Sequence, residues 1–270
     1  MLTLPLKAKL LPMSRFFISG VLLLYGCFCL AQEEVGVEPG KDSVEYKQPY
    51  GLRVGIDLSR PLRTFLNDNY QGFEIVGDYR ITQNLYIAGE VGNEKRTDSE
   101  ELGNDDNPNQ DILYNYTTSG SYLKVGVDWN TYVNWYGMNN TIFLGGRYAL
   151  SSHSQTVNSY ELYNSNHYWN PDGLLTGQEK IGEYGGLSAS WLEFVLGVKT
   201  ELFANIYLGA SVRLDILIGN KESDTFPNLW IPGFNRVTEG SSFGVGYNYT
   251  LTYLIPLYRK SKKPAKTIEE

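Results

Sequence analysis

"YGLRVGIDLS", residues 50–59, puts Leu52, Val54, Ile56 and Leu58 on one face of an extended chain and Arg53, Gly55, Asp57 and Ser59 on the other. Alternation at period two predicts a strand with one apolar and one polar face. What lies against each face decides the fold.

The same two-faced pattern returns at 73–81, 85–92, 123–129, 142–150, 192–199, 208–216 and 243–253, giving eight predicted strands. No helical pattern stands out after the first thirty residues. With 21 Tyr, 11 Phe, 5 Trp and 28 Gly, the composition also predicts an all-β protein rich in turns. The net charge of −7 argues against wholesale binding to nucleic acid.

The connections alternate in length. Those at about 60–71, 94–112, 152–187 and 219–241 are long; Thr82-Gln83-Asn84 and Phe203-Ala204-Asn205 are tight, and the stretch near 130–140 is rich in Asn and Gly. An even number of antiparallel strands with short turns at one end and long loops at the other is the pattern of an outer-membrane barrel. A soluble eight-stranded carrier of lipocalin type would instead face its aliphatic side inward.

Glycine and charge favour the membrane orientation. Gly55, Gly92, Gly126, Gly145, Gly197, Gly209, Gly244 and Gly246 sit on the polar face. Glycine weakens a solvated strand but makes room inside a narrow barrel. The same face carries Arg53, Arg80, Lys124, Arg147, Lys199 and Arg213 against Asp57, Glu74, Asp78, Glu90, Asp128, Glu193 and Asp215. A sealed interior requires such pairing, because an unpaired buried charge costs several kcal/mol. The expected interior is therefore a salt-bridged plug, with a narrow proton or ion path or a small internal ligand as alternatives. Trp129, Tyr148 and Tyr253 fall outward near strand ends, where an interfacial girdle would lie.

The first 31 residues read as a cleaved export signal. Lys7, Lys9 and Arg15 precede the apolar run "FFISGVLLLYGCFCLA", with a candidate cut after Ala31. Leu24-Tyr25-Gly26-Cys27 also resembles a lipobox, in which Cys27 would be lipidated. Residues 32–49 read as a flexible acidic periplasmic leader, 50–258 as the barrel and 259–270 as a basic periplasmic tail. Arg259, Lys260, Lys262, Lys263 and Lys266 of that tail suit anionic headgroups, cell wall or a partner.

These features resemble the small eight-stranded outer-membrane barrels of Gram-negative bacteria. More narrowly, "YGLRVGIDLSRPLRTF" and "GFEIVGDYRITQNLYIAGEVGNEK" are similar to an uncharacterised family of exported barrels, over about residues 48–258. The resemblance implies an antiparallel, transmembrane up-and-down β-barrel in the outer membrane, and it carries no catalytic residues. Gly244, Tyr247 and Tyr249 partly fit the barrel-assembly signal of a last strand, although the chain continues beyond its aromatics as "RKSKKPAKTIEE".

Several loop residues are candidates for chemistry. His153 and His167, with Ser151, Ser152, Ser154 and Asp172 nearby, could support a surface enzyme, but no spacing marks a nucleophile or metal site; two exposed loop histidines are expected. Glu100, Glu101, Asp105, Asp106 and Asp111 could gather calcium, but the EF-hand spacing is missing, so a solvated loop and no metal are expected. Tyr160, Tyr163, Tyr168, Trp169, Tyr184, Phe226, Trp230 and Phe234 offer aromatic surface for a glycan or protein partner, or a lid over the mouth. The expected protein is non-enzymatic and cofactor-free. It would contact outer-membrane lipid and act as a scaffold or interaction protein, for an envelope lipoprotein or a larger barrel complex. A narrow pore, a His-dependent surface enzyme and a soluble periplasmic carrier are the rivals.

Overall fold

The computed structural model describes residues 47–102, 111–132, 134, 139–163, 174–237 and 241–261. The expected signal, almost all of the leader, His167, Asp172, Tyr168, Trp169, Asp105, Asp106 and the tail from Lys262 lie outside the described residues, as do the side chains of Asp111 and Tyr163.

The protein is all-β in its sheet framework. Strands β1 (Lys47–Asp57), β2 (Tyr70–Arg80), β3 (Leu85–Leu102), β4 (Asp111–Asn130), β5 (Thr141–Tyr163), β7 (Gly182–Phe203), β8 (Ile206–Lys221) and β11 (Phe243–Ser261) form one antiparallel sheet. Each pairs with its sequence neighbour in this set, and β11 pairs back onto β1 from Asp57↔Thr250 to Lys47↔Ser261. Eight strands thus close into a ring with no free edge between first and last. The short β6 (Leu174–Thr176) extends the pairing of β5, and β9 (Trp230–Ile231) with β10 (Asn235–Arg236) makes a small hairpin of its own. No helix among the described residues is long and apolar enough to cross a membrane.

The alternation fixes which side chains point inward. On β4, Tyr122, Lys124 and Asp128 are buried in the ring, whereas Leu123, Val125, Val127 and Trp129 are about half exposed on its outside. Lys124 retains 1% of its accessible surface and Val125 retains 51%. The same inversion holds around the ring: charge inside, aliphatic side chains outside.

The turns follow their residues. Ala204 and Asn205 both take positive φ, 46° and 68°, as a two-residue hairpin with the twist of its strands requires. At the other end the strands run well past their predicted limits. β3 and β4 take up most of the expected 94–112 loop, and β5 and β7 shorten the expected 152–187 loop to a short β6 and one 3₁₀ turn between described and undescribed stretches. At the base, β1 starts at Lys47, inside the expected leader, and β11 carries Arg259 and Lys260 opposite Pro49 and Gln48. The polar extensions kept alternating, but without aliphatic residues on the outer face they lacked the signal that marked the lower halves.

One helix was not expected. α1 (Ser59–Leu66) follows β1, with Pro61 in its first turn, where the missing N–H costs nothing. Asp57 accepts the Ser59 N–H at 3.0 Å and so supplies a cap from outside the helix. β1 ends at Asp57 while β2 continues to Tyr70, and α1 lies beside this upper part of β2. There Thr64 Oγ1 accepts the Gly72 N–H at 3.0 Å. Arg60 turns into the ring, and Leu62, Phe65 and Leu66 remain exposed on the opposite helical face.

Inward glycines mark where the strands bend most closely together. A Cβ on Gly126 would run into the Gly146 carbonyl oxygen of β5, whereas a Cβ on the outward Gly146 meets nothing within 4 Å. Gly126→Val should therefore lower stability by about 1–3 kcal/mol, and Gly146→Val should leave it nearly unchanged. Chemical unfolding of the two variants in parallel checks the difference.

Candidate functional site: the charged interior and its mouth

The interior holds three tiers of charge. In the lowest, Arg53 Nε donates to Asp78 Oδ1 at 2.7 Å and Lys199 Nζ donates to Asp78 Oδ2 at 2.6 Å. The Arg53 guanidinium also lies 4.7 Å from the centre of the Tyr86 ring. One carboxylate thus serves two cations, and an aromatic face takes part of the excess charge.

Arg213 organises the middle tier. Its Nη1 lies 2.5 Å from Glu90 Oε2 and 3.0 Å from Glu193 Oε2, and its Nη2 lies 2.9 Å from Glu90 Oε1. Glu193 also takes Lys124 Nζ at 2.6 Å and the Trp191 indole N–H at 2.8 Å. Arg147 pairs with Asp128 at 2.7 Å and reaches Glu90 at 3.6 Å. Five strands, β3, β4, β5, β7 and β8, contribute to this one network, so it ties opposite sides of the ring.

The upper tier centres on Arg60, delivered by α1. It pairs closely with Glu94 and lies 3.7 Å from Glu74 and 3.6 Å from Asp57. Tyr70 Oη donates to Glu94 at 2.7 Å, Tyr122 Oη to Glu74 at 2.5 Å and Asn248 Nδ2 to Glu74 at 2.8 Å. Neither Arg60 nor Glu94 was picked out from the sequence. Glu94 keeps the parity of Glu90 and Gly92, a signal that could have found it; Arg60 belongs to an unrecognised helix and had none.

Two expected members of the ion-pair set are placed differently. Arg80 makes no ion pair among the described residues. Its guanidinium donates to the Thr82 and Gln83 carbonyls, Gln48 Oε1 and Asn139 Oδ1, and lies over the Tyr50 ring. Among the described residues, Asp215 is buried with no cation at ion-pair distance, and its Oδ1 has no hydrogen-bond partner. Both side chains are buried, and face assignment alone could not rank the partners within their reach. Asp57 is spent mainly on the backbone, accepting from Ser59 and from the Tyr249 N–H at 3.1 Å.

The β9–β10 hairpin closes the mouth. The Gly233 N–H donates to Glu94 Oε2 at 3.0 Å, and its carbonyl accepts Lys124 Nζ at 3.2 Å, so the hairpin links the upper and middle tiers. Gly233 has φ +83°, and a Cβ there would sit 2.6 Å from the Tyr122 ring, which leaves glycine as the fitting residue. Ile231 and Phe234 pack with Tyr122, Ala149, Ala189 and Trp191 into one apolar cluster. Of the loop aromatics, Phe226, Trp230 and Phe234 are therefore buried as part of a lid and do not offer free surface. Tyr160 and Tyr184 each pack on Phe226, at 5.8 and 6.1 Å between ring centres.

His153 is a second correction. It is an inward residue of β5, 5% exposed, where an exposed loop position was expected. It lies beyond Leu150, the last of the outward aliphatic residues on that strand. Among the described residues neither ring nitrogen is hydrogen-bonded; Asn228 lies beside it without the geometry for a bond. No serine or carboxylate among the described residues engages it. Glu100 pairs with Arg236 at 2.7 Å, and no group of three or more potential metal ligands occurs among the described residues. Gly244, Tyr247 and Tyr249 lie on β11, the two tyrosines exposed on the outer face and 5.8 Å apart.

A family described as a domain of unknown function (DUF6048) matches residues 13–260. The chain belongs to that family. Comparison with curated proteins found no match, and comparison with solved structures found none. The DUF6048 match spans every described strand except the last residue of β11, so the tiers, α1 and the hairpin all lie within it.

Two outcomes are expected. Arg213→Met leaves Glu90 with the more distant Arg147 alone and takes one of two cations from Glu193, and should cost about 3–5 kcal/mol; adding Glu90→Leu should recover part of the loss, since Glu193 keeps Lys124. Unfolding of the single and double variants measures this. Burial pushes the His153 imidazole down to about 4, from an ordinary 6.5. A histidine depressed in the folded state leaves stability whole above the unfolded value and withdraws it as pH falls from about 6.5 toward 4. His153→Gln should flatten that part of the curve of melting temperature against pH.

Proposed function

We propose that the chain is an outer-membrane β-barrel of a Gram-negative envelope, with a plugged, salt-bridged interior, acting as a non-enzymatic scaffold or interaction protein. The observation that carries this reading is the inversion of polarity across the ring. The outward residues of 73–81 and 142–150 are mainly large and apolar, over about the nine to eleven residues that a tilted strand needs to cross hydrocarbon. Hydrocarbon offers backbone groups no hydrogen bonds, and a sheet paired from β1 round to β11 leaves none of its inner strands unpaired. Trp129, Tyr148 and Tyr253 stand exposed on the outer face, as an interfacial girdle would require. An aliphatic-lined carrier would need the opposite arrangement.

The close packing of the lower and middle charged tiers favours a scaffold over a pore. The void bordered by Asp78, Glu90, Arg147 and Arg213 is about 30 Å³, the room of about one water molecule. Above it the hairpin occupies the mouth. What such a protein offers a partner is then its rim, its outer face and its ends; an outer-membrane lipoprotein or a larger barrel assembly is the class of partner this reading implies.

Cell fractionation tests it. The protein is expected with the outer membrane, resisting alkaline extraction and migrating faster on gels unheated than boiled. Recovery as a stable monomer in detergent-free buffer would overturn it.

A further inference from the structure

Four guanidinium groups border a cleft of about 310 Å³ between α1, β3, the hairpin and the top of β11: those of Arg60, Arg63, Arg96 and Arg236. Trp230 lies in the same cleft. Three of the cations have carboxylate partners. Arg60 faces Glu94, Arg96 pairs with Asp98 at 2.7 Å and Arg236 with Glu100 at 2.7 Å. Arg63 makes no ion pair among the described residues. It is held instead by rings, 4.4 Å from the centre of Tyr70 and 5.4 Å from that of Trp230. Arg96 lies over the same indole at 4.2 Å. Two guanidiniums sharing one indole bring like charges together, a costly arrangement unless something offsets it.

Trp230 is 3% exposed and offers a ring face to both Arg63 and Arg96. The cleft therefore gathers four guanidiniums, of which Arg63 has no carboxylate partner among the described residues, and this favours an anionic oxygen. Planar guanidinium forks suit tetrahedral oxyanions in particular, which they bind through paired hydrogen bonds.

We propose that this cleft binds a phosphate-type dianion, supplied either free or as the phosphomonoester of a lipid headgroup. Val245 and Tyr247, which also border the cleft, belong to the outward face of β11, so the site opens at the rim beside the apolar surface. Only the lipid source rests on the membrane reading; capture of the anion does not. Burial first, then the Arg96 and Arg60 charges, already hold the Arg63 guanidinium below its ordinary value, as expected of a cation waiting for a counter-ion.

The test is thermal melting and calorimetric titration of the purified full chain in phosphate-free nonionic detergent. Inorganic phosphate should raise the melting temperature more than chloride at equal ionic strength. Arg63→Gln should weaken phosphate binding about tenfold or more, the loss of one charge-assisted contact. Without phosphate the same variant should melt no lower than wild type, because it relieves repulsion; a merely structural arginine would lower it. If Arg63→Gln fails to fold, Arg236→Gln removes a second, exposed cation of the cleft and should still weaken binding. Competition for phosphate by micelles carrying phosphatidic acid, and not by phosphatidylcholine, assigns the lipid source; its failure assigns the free anion. No phosphate-specific effect on wild type, or equal binding by wild type and the variants that fold, overturns the site.

Discussion

Charge taken out of water must be neutralised where it lies, and in this ring that requirement governs the interior. An eight-stranded ring is so narrow that side chains from opposite strands meet across it. Arg213 of β8 finds Glu90 of β3 and Glu193 of β7; Lys199 of β7 finds Asp78 of β2. The Arg213–Glu90 and Lys199–Asp78 pairs cross between strands far apart in sequence, so the interior fixes which strands face one another, in addition to the hydrogen bonds between neighbours. Removing both charges of a pair would leave a wall that still closes but is less specific about what it encloses.

Sequence alternation revealed the eight strands and their pairing order, and it put charged residues such as Arg53, Lys124 and Glu193 on the face that is buried in the ring. Those features depend on a period of two and on connection length, both local properties. What was illegible depends on distant partners. The pairing of Arg60 with Glu94 needs a helix that eight residues barely signal, and the lack of a cation for Asp215 depends on where Lys124 and Arg147 spend themselves. His153 looked like a loop residue because Ser151, Ser152 and Ser154 around it lack the aliphatic outward partners seen lower on β5, yet the strand runs on to Tyr163.

The lid was half legible. Its aromatics could be named, but whether they would face solvent or pack inward depended on Pro232-Gly233-Phe234, whose backbone enters the mouth and bonds to both Glu94 and Lys124. A loop that exchanges hydrogen bonds with two buried ionic tiers is part of the interior. The rim around it, with α1 on one side and extended polar strands on the other, is where the chain departs from a plain cylinder of strands.

Closure of β11 onto β1 has a consequence for how the chain reaches this state. The first strand cannot find its second neighbour until the last one has been made, so the seam joins segments about two hundred residues apart. Contacts of such separation are slow to form. Until they do, two unpaired borders remain available to any other extended chain. Assembly is therefore a race between sealing the seam and pairing with a stranger.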